Sequence, residues 1–243
     1  MRDIPGWWQA ALPEIHTTLE GFSSKLRKKL KEQPEKIIRR KNPFLYRVRH
    51  SENASASDLA ASIVDAFLSS SEETMFGDVL ESLSIIICRH AKSGRKSGIE
   101  NIDLEFDQAD GSRALVQVKS GENWGNSSQR KTLVEKFGRA TRVLRQGGIR
   151  ARCIEGCCYG SSRHVHREYH EILVGDVYWK EISDWSGTSQ AILTIIGEHA
   201  DNGLHAPRRE ARDNILQYFS EQNLLSGHSI NWNRLLQLVM RPK

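Results

Sequence analysis

The stretch Ile102-Asp103-Leu104-Glu105-Phe106 decides the fold, together with the later stretch Val116-Gln117-Val118-Lys119-Ser120-Gly121. Both alternate apolar and polar residues, and alternate side chains of a β-strand point to opposite faces. An Asp110-Gly111 pair between the two stretches is a strong turn signal, so we predict a hairpin. A turn centred near Asp110 places Asp103 roughly opposite Gln117. A carboxylate, an amide and an ammonium group then share one polar face, which we expect to be open to solvent.

These side chains suit a hard divalent cation and a phosphodiester. Asp103, the side-chain oxygen of Gln117 and the backbone carbonyl of Val118 are oxygen donors of the kind that Mg²⁺ prefers. Lys119 is expected beside the attacking water, where it would orient the water, help it lose a proton or offset developing charge. The alternative is an ordinary two-stranded ribbon with one hydrated face.

A helix is predicted upstream of the hairpin. Ser70 and Glu73 have the spacing of a capping box, so the helix should begin there and extend to about His90. Glu81 lies at the edge of the apolar stripe of this helix.

The order Gly77-x-x-x-Glu81, Asp103 and Gln117-x-Lys119 resembles the PD-(D/E)xK nuclease superfamily. Further blocks extend the likeness over roughly residues 42–160 to one branch of its type II restriction endonucleases. These blocks are Lys41-Asn42-Pro43-Phe44-Leu45, Gly98-Ile99-Glu100-Asn101, Gly121-Glu122-Asn123-Trp124-Gly125-Asn126-Ser127-Ser128-Gln129 and Gly156-Cys157-Cys158-Tyr159-Gly160. The resemblance implies an α/β fold, with a mixed β-sheet core flanked by helices and with helical N- and C-terminal extensions.

The resemblance also implies an activity, the Mg²⁺-dependent, sequence-specific hydrolysis of double-stranded DNA, with Mn²⁺ as an alternative ion. Asp103 would be the central metal ligand, Gln117 and the Val118 carbonyl supporting ligands, Lys119 the water-positioning group, and Glu81 a further catalytic and metal-binding acid. A twofold homodimer is expected because a palindromic site requires two equivalent cuts. A cognate DNA methyltransferase is expected as a genetic rather than a physical partner.

Gln117 departs from the superfamily pattern, in which Asp or Glu is commonest, and Glu105 on the same face is a candidate compensating acid. Two alternatives therefore stay open. One is a repair or junction-resolving nuclease on the same fold. The other is a catalytically inactive protein that binds DNA or zinc. The recognition sequence is not readable from these residues, since base contacts depend on loop geometry.

Basic residues are concentrated in one segment. The chain of 243 residues has a net charge of +5 and a sequence pI near 9.1. Residues 25–41 contain nine basic and two acidic side chains, which leaves the remainder slightly acidic. Arg39, Arg40 and Lys41 end this segment and are candidate DNA contacts. A solvated helix face explains the same pattern equally well.

A second basic surface is predicted after the hairpin. A helix should begin at Ser128 and end at the Gly147-Gly148 C-cap, with Lys131, Arg139 and Arg142 on its outer side. The preceding polar residues Asn126, Ser127 and Ser128 are candidate phosphate contacts at the helix N-terminus. Trp124 is equally consistent with a core position and with a base or sugar contact.

The remaining chain is organised around this unit. We expect a helical N-terminal extension (1–50), a nuclease core (51–200) and a helical C-terminal extension (201–243), with strands at 149–158 and 171–174. Further helices are expected at 57–68, 188–200, 208–223 and 231–240. No apolar run approaches a membrane span, and the N-terminal residues have no signal-peptide core, so no membrane contact and a cytoplasmic location are expected.

A cysteine and histidine cluster is a weaker candidate site. Cys153, Cys157 and Cys158 precede His164, His166 and His170, but their spacing differs from that of common zinc knuckles. We interpret the cysteines as buried thiols of the core and expect no Zn²⁺. His164 and His166 lie in a predicted basic loop that could reach DNA.

Overall fold

The structure is a computed structural model that describes residues 4–50, 55–199, 203–227 and 229–241. The chain forms two compact units. Unit 1 lies within residues 1–20 and 75–200, and unit 2 lies within residues 21–74 and 201–243. The division expected at residues 50 and 200 does not coincide with these bounds, since unit 1 includes residues 4–20 and unit 2 includes residues 55–74.

Helices and strands alternate through unit 1, whereas unit 2 is mainly helical. In chain order the helices are α1 (Gly6–Leu30), α2 (Pro34–Arg39), α3 (Pro43–Arg49), α4 (Ala56–Lys92), α5 (Ser127–Gln146), α6 (Asp176–Ser183), α7 (Thr188–His199), α8 (His205–Glu221) and α9 (Trp232–Met240). The strands are β1 (Arg95–Lys96), β2 (Leu104–Asp107), β3 (Arg113–Gly121), β4 (Ala151–Tyr159), β5 (Arg163–His166), β6 (Glu171–Val174), β7 (Leu225–Ser226) and β8 (Ser229–Ile230). No described helix combines the length and apolar character needed to cross a membrane.

Unit 1 contains a six-stranded mixed sheet with the strand order β1-β2-β3-β4-β6-β5. β1, β2 and β3 are antiparallel, β3, β4 and β6 are parallel, and β5 is antiparallel to β6. The predicted hairpin and the strands at 149–158 and 171–174 are confirmed, as is the mixed sheet flanked by helices. The predicted basic loop containing His164 and His166 is wrong, since these residues form the edge strand β5.

Both faces of the sheet are covered. On one face, Leu115 and Cys153 pack with Leu133, Phe137 and Leu144 of α5. On the other face, α6 packs against β4. The solvent-exposed polar face expected for the hairpin is therefore wrong, because α5 lies over it.

Burial on the α5 face extends to polar residues of the hairpin. Glu105 is 5% exposed and Gln117 is 4% exposed. Glu105 accepts a hydrogen bond from Ser97 and pairs with Arg95. From the sequence, Glu105 is expected to compensate for the missing carboxylate at position 117. Its contacts with Ser97 and Arg95 do not favour this role, which stays a prediction.

Helix α4 is continuous from Ala56 to Lys92, so the helix boundary predicted at Ser70 is wrong. The hydroxyl of Ser70 lies inside the helix and donates to the Phe67 carbonyl. Ser55 and Asp58 form the start signal instead: the Ser55 hydroxyl accepts from the Asp58 amide and donates to its carboxylate. The expected end near His90 agrees with the observed end at Lys92.

Unit 2 is formed by helices and a small hairpin. The predicted C-terminal helices at 208–223 and 231–240 are confirmed as α8 and α9, and in unit 1 the helix at 188–200 is confirmed as α7 up to His199. Ala200 lies outside the described residues. The hairpin of β7 and β8 and the helix α6 were not predicted.

Close packing between the sheet and α6 makes Gly156 a test of the fold. A β-carbon on Gly156 would overlap the ring of Tyr178, which is fully buried and has little room to move. We expect Gly156→Ala to lower the free energy of unfolding by about 1 to 3 kcal/mol, measured by urea denaturation. Gly138→Ala on α5 is the control, since nothing lies near the new methyl group and the helix should gain up to about 1 kcal/mol. Equal effects of the two variants would contradict this packing.

Candidate active site

Asp103, Gln117 and Lys119 come together as predicted. The backbone amide of Asp103 donates to the Val116 carbonyl at 3.0 Å, and β2 pairs with β3 in the register Leu104 to Val116. The Asp103 carboxylate accepts from the Val118 amide at 2.7 Å and from Gln117 Nε2 at 3.2 Å. Lys119 Nζ donates to Gln117 Oε1 at 3.1 Å. The hairpin therefore presents a connected row of acid, amide and lysine.

The side chain of Gln117 is oriented by its neighbours. Its amide nitrogen donates to Asp103 and to the backbone carbonyl of Asn101, while its oxygen accepts from Lys119. The oxygen thus faces Lys119 and not the Asp103 carboxylate. Gln117 must turn its amide group to place an oxygen ligand on the Asp103 side.

Lys119 is half-buried between polar and aromatic groups. Its ammonium lies 4.8 Å from the centre of the Trp124 ring, in a cation–π contact. Burial lowers the pKa of Lys119, and the nearby Asp103 carboxylate partly opposes this effect. A lysine in such a position is closer to losing its proton near neutral pH than a solvated lysine is.

The two acids Asp103 and Glu81 influence each other. Burial raises the pKa of Asp103, and the hydrogen bond from the Val118 amide partly opposes this. Burial also raises the pKa of Glu81, and the charge of Asp103 raises it further. Glu81 Oε1 lies 3.9 Å from Lys96 Nζ on β1, the strand that pairs with β2, and its part in a metal site stays a prediction.

Glu155 was missed by the sequence analysis. It lies on β4 directly beside Gln117 in the strand pairing and is only 2% exposed. Trp124 Nε1 donates to its carboxylate at 2.6 Å, and His170 Nε2 lies 3.2 Å from it. Burial pushes the pKa of Glu155 up, but the hydrogen bonds from His170 and Trp124 bring it below its usual value.

Glu155 stabilises the position of Trp124, and Trp124 in turn packs on Lys119. The indole nitrogen bonds to Glu155, so Trp124 is a half-buried part of this cluster, and its contact with a base or sugar stays a prediction. A signal for Glu155 was present in the sequence, since a charged residue within an otherwise apolar strand is rarely buried without a partner.

Lys136 on α5 is a second residue that the sequence analysis missed. Its charge reaches both Asp103 and Lys119, where it lowers the pKa of each group in part. A cavity of about 200 Å³ opens beside these side chains. The residues lining it are Gln117, Lys119, Trp124, Gln129, Thr132, Leu133 and Lys136. Two lysines at one cavity give it a cationic character suited to a phosphate group.

The donor set fits a hard divalent cation. The carboxylates of Asp103 and Glu81 are candidate oxygen ligands, and the repulsion by which Asp103 raises the pKa of Glu81 is the kind that a bound cation would relieve. The Val118 carbonyl and a turned Gln117 amide are the remaining candidate ligands. Gln117 contributes no charge, so the site has one negative charge less than a site with a carboxylate there.

The predicted phosphate contacts on α5 remain accessible. Asn126 caps the helix by accepting from the Gln129 amide, while Gln129 bonds back to the Asn126 amide. Ser127 and Ser128 in the first turn are exposed. Lys131, Arg139 and Arg142 are exposed along the helix, as expected.

The basic residues at the end of segment 25–41 have hydrogen-bond and ion-pair partners within unit 2. Arg39 donates to Glu35 and to the Arg241 carbonyl, and Arg40 pairs with Glu32. Lys41 Nζ donates to the Ala66 carbonyl at 3.0 Å and to Ser70 Oγ at 3.3 Å. These contacts favour a structural role over DNA binding, especially for Arg39 and Lys41.

Exchange of Gln117 for an acid tests its role as a ligand. Gln117→Glu removes the donor to Asn101 and Asp103, and it places a carboxylate against another carboxylate. In the presence of a chelator, we expect the variant to have a lower melting temperature than the parent, because its free energy of unfolding falls by about 1 to 3 kcal/mol. On addition of Mg²⁺, we expect the melting temperature of the variant to rise by more than that of the parent. Gln9→Glu, at an exposed position on α1, is the control. An equal Mg²⁺-induced rise in parent and Gln117→Glu would mean that residue 117 is not a ligand.

One family relationship emerges from comparison with known proteins. The model of the family described as Type II restriction endonuclease EcoO109I matches residues 13–203. No curated protein matches the chain. The matched range contains Glu81, Asp103, Gln117 and Lys119 and covers well over half of the sequence. Restriction endonucleases of this family are nucleases that act on DNA and generally depend on a divalent metal. The match confirms the resemblance found in the sequence, and the chain belongs to the type II restriction endonuclease EcoO109I family.

Proposed function

We propose that this protein is a Mg²⁺-dependent type II site-specific deoxyribonuclease that hydrolyses phosphodiester bonds in both strands of double-stranded DNA. The observation that carries the proposal is the hydrogen-bonded row of Asp103, Gln117 and Lys119 on one hairpin, with Glu81 nearby. We extend the proposal to a twofold homodimer and to a methyltransferase as genetic partner, because a palindromic site needs two equivalent cuts and protection of the host DNA.

The metal site is assigned to the acids. Asp103 and Glu81 would hold the ion, together with the Val118 carbonyl and the turned amide of Gln117. A divalent ion bound there would polarise the scissile phosphate and lower the pKa of the attacking water. Asp103 is already fixed by the Val118 amide, so little further ordering of this side chain is needed.

Lys119 is proposed to orient the attacking water and to offset the negative charge of the phosphate. Its ammonium is fixed between Gln117 and the Trp124 ring, and its lowered pKa favours exchange of a proton at Nζ. Lys136 lines the same cavity and would offset negative charge on the phosphate. Glu155 acts through Trp124 and is a positioning residue.

A second function, a DNA-binding protein without cleavage, is favoured by one observation. The Gln117 amide nitrogen faces Asp103, which is the wrong group for a shared metal ion. Under this alternative the parent protein would bind DNA and leave plasmid intact at every Mg²⁺ concentration. A plasmid cleavage assay therefore separates the two functions, and sequencing of the cut ends would identify the recognition site.

Catalysis by the hairpin is tested by substitutions that keep its packing. Asp103→Asn keeps an acceptor for the Val118 amide, and Lys119→Met keeps a long side chain against Trp124. We expect each to reduce plasmid cleavage at least about 100-fold, while DNA binding measured by anisotropy stays within a few-fold of the parent. Asp107→Asn is the matched control, since Asp107 is an exposed acid at the end of β2, the strand that directly follows Asp103. Parental cleavage by Asp103→Asn and Lys119→Met would contradict these assignments.

Phosphate binding by α5 is tested through the salt dependence of DNA affinity. If Lys131, Arg139 and Arg142 contact phosphates, changing all three to Gln should weaken binding to all sequences and flatten the slope of log K against log salt by about 0.9 for each lost contact. Glu135→Gln on the same helix is the control and should not flatten the slope. An unchanged slope in the triple variant would exclude α5 from the DNA interface.

Changing Arg39, Arg40 and Lys41 to Gln tests whether the basic segment of residues 25–41 contacts DNA. Because these side chains have internal partners, the melting temperature must be measured alongside DNA affinity. We expect a lower melting temperature and a parental salt slope. A flattened slope of log K against log salt, with the melting temperature of the parent, would indicate that this segment does contact DNA.

A further inference from the structure

Strands β5 and β6 bring two imidazoles and a carboxylate together at the edge of the sheet. His164 and His166 are separated by one residue on β5, so their side chains point to the same face. Glu171 on β6 is the direct partner of His166 in the antiparallel pairing. The two imidazole rings have their centres 4.3 Å apart, and one ligand atom from each of the three residues lies within 4.8 Å of the others.

The carboxylate of Glu171 is oriented and ionised. Arg152 donates to both of its oxygens, at 2.9 and 2.8 Å, and also pairs with Glu181. The hydrogen bonds from Arg152 hold the pKa of Glu171 at about 2. A carboxylate has about four lone-pair sites, so two occupied by the arginine leave room for another ligand contact.

The ion-paired charges at this carboxylate sum to a negative value, while the cations Arg150 and Arg167 line a cavity that His166 and Glu171 also line. Arg152 contributes one positive charge, and Glu171 and Glu181 contribute two negative charges, so the trio has a net charge of −1. Arg163 on β5 is paired with Glu122 and adds no uncompensated charge. His164 and His166 are exposed, which leaves the cluster open to an ion from solution.

Small side-chain movements would bring the three residues to the distances of a transition-metal site, since their ligand atoms lie within 4.8 Å of one another. Zn²⁺ binds imidazole nitrogen and carboxylate oxygen at about 2.0 to 2.2 Å, so tetrahedral ligand atoms lie about 3.4 Å apart. His164 Nε2 is 2.7 Å from Glu171 Oε2 and would have to move apart by less than 1 Å. Exposed histidines can make this adjustment by rotating their side chains.

We propose that His164, His166 and Glu171 form a binding site for a transition-metal ion, Zn²⁺ by its ligand chemistry, separate from the candidate active site. Two imidazoles and one carboxylate suit Zn²⁺, whereas the oxygen donors of Asp103 and Glu81 suit Mg²⁺. This set differs from the one considered from the sequence, because the cysteines are buried as free thiols in the sheet core and Glu171 replaces them.

The bound ion would tie the edge strand to the sheet. β5 consists of four residues and, among the described strands, pairs with β6 alone, so its pairing is short and one side of its backbone lies at the sheet edge. A metal ion held by side chains of both strands would link them independently of the backbone hydrogen bonds. Metal binding of this kind stabilises the folded state by an amount that grows with the logarithm of the ion concentration once that concentration exceeds Kd.

The test is a calorimetric titration of the metal-free full chain with Zn²⁺ in an Asp103→Asn background. The background removes an acid of the candidate active site, so the result does not depend on the proposed nuclease function. We expect one Zn²⁺ per chain, and at least about a 100-fold loss of affinity in His164→Ala/His166→Ala, since even outer-shell partners of a metal commonly contribute 10- to 100-fold. The single variant His166→Gln should also weaken Zn²⁺ binding. It is included because a single substitution disturbs the fold less than the double alanine variant does.

A second histidine pair is the matched control. His16 and His199 have ring nitrogens 3.2 Å apart on α1 and α7, so His16→Ala/His199→Ala removes the same number of imidazoles elsewhere. This variant should bind Zn²⁺ as the parent does. Parental binding by a folded His164→Ala/His166→Ala or His166→Gln variant would overturn the proposal, as would the absence of binding in the parent.

Substitution of Co²⁺ for Zn²⁺ identifies the ligand atoms by absorption. Nitrogen and oxygen ligands are expected to give visible bands without a near-ultraviolet thiolate charge-transfer band. A thiolate band would assign the ion to the cysteines and would contradict the proposed site.

Discussion

The register between β2 and β3 is the constraint on which the candidate active site depends. A slip of one residue would turn Gln117 and Lys119 to the opposite face and would separate them from Asp103. The Asp103 side chain stabilises this register, because its carboxylate accepts a hydrogen bond from the Val118 amide on β3. The parallel pairing of β3 with β4 then extends it, because it places Glu155 beside Gln117.

Burial of polar groups gives this site its rigidity. Gln117 and Glu155 lie in the covered face of the sheet, where an unpaired polar group is costly and each hydrogen bond is correspondingly important. Their side chains are joined through Lys119 and Trp124, since Lys119 contacts both Gln117 and the indole ring. The cost of burying Glu155 is offset by hydrogen bonds from Trp124 and His170. A rigid lysine and a rigid acid suit chemistry that depends on position.

Helix α5 connects the candidate site to the surface proposed to contact DNA. Its apolar residues Leu133, Phe137 and Leu144 cover the sheet, and Lys136 lines the cavity beside Gln117 and Lys119. Lys131, Arg139 and Arg142 lie on its exposed side. The position of the covering helix therefore determines both the depth of the cavity and the placement of positive charge near it. The neutral Gln117 makes this positive charge more prominent, because the site has fewer acids to balance it.

The sequence by itself determined the local features. Alternation predicted the hairpin and the approach of Asp103, Gln117 and Lys119, and the glycines after Gln146 predicted the end of α5, because strand periodicity and helix capping depend on neighbouring residues. Tertiary structure decided which faces are buried and which distant residues meet. Glu155, Lys136 and the His164–Glu171 pair became visible only after folding, since strand order and helix packing bring together residues that no local pattern relates. The orientation of Gln117 was likewise decided by the carbonyl of Asn101 and the ammonium of Lys119, which only the folded hairpin places around one amide.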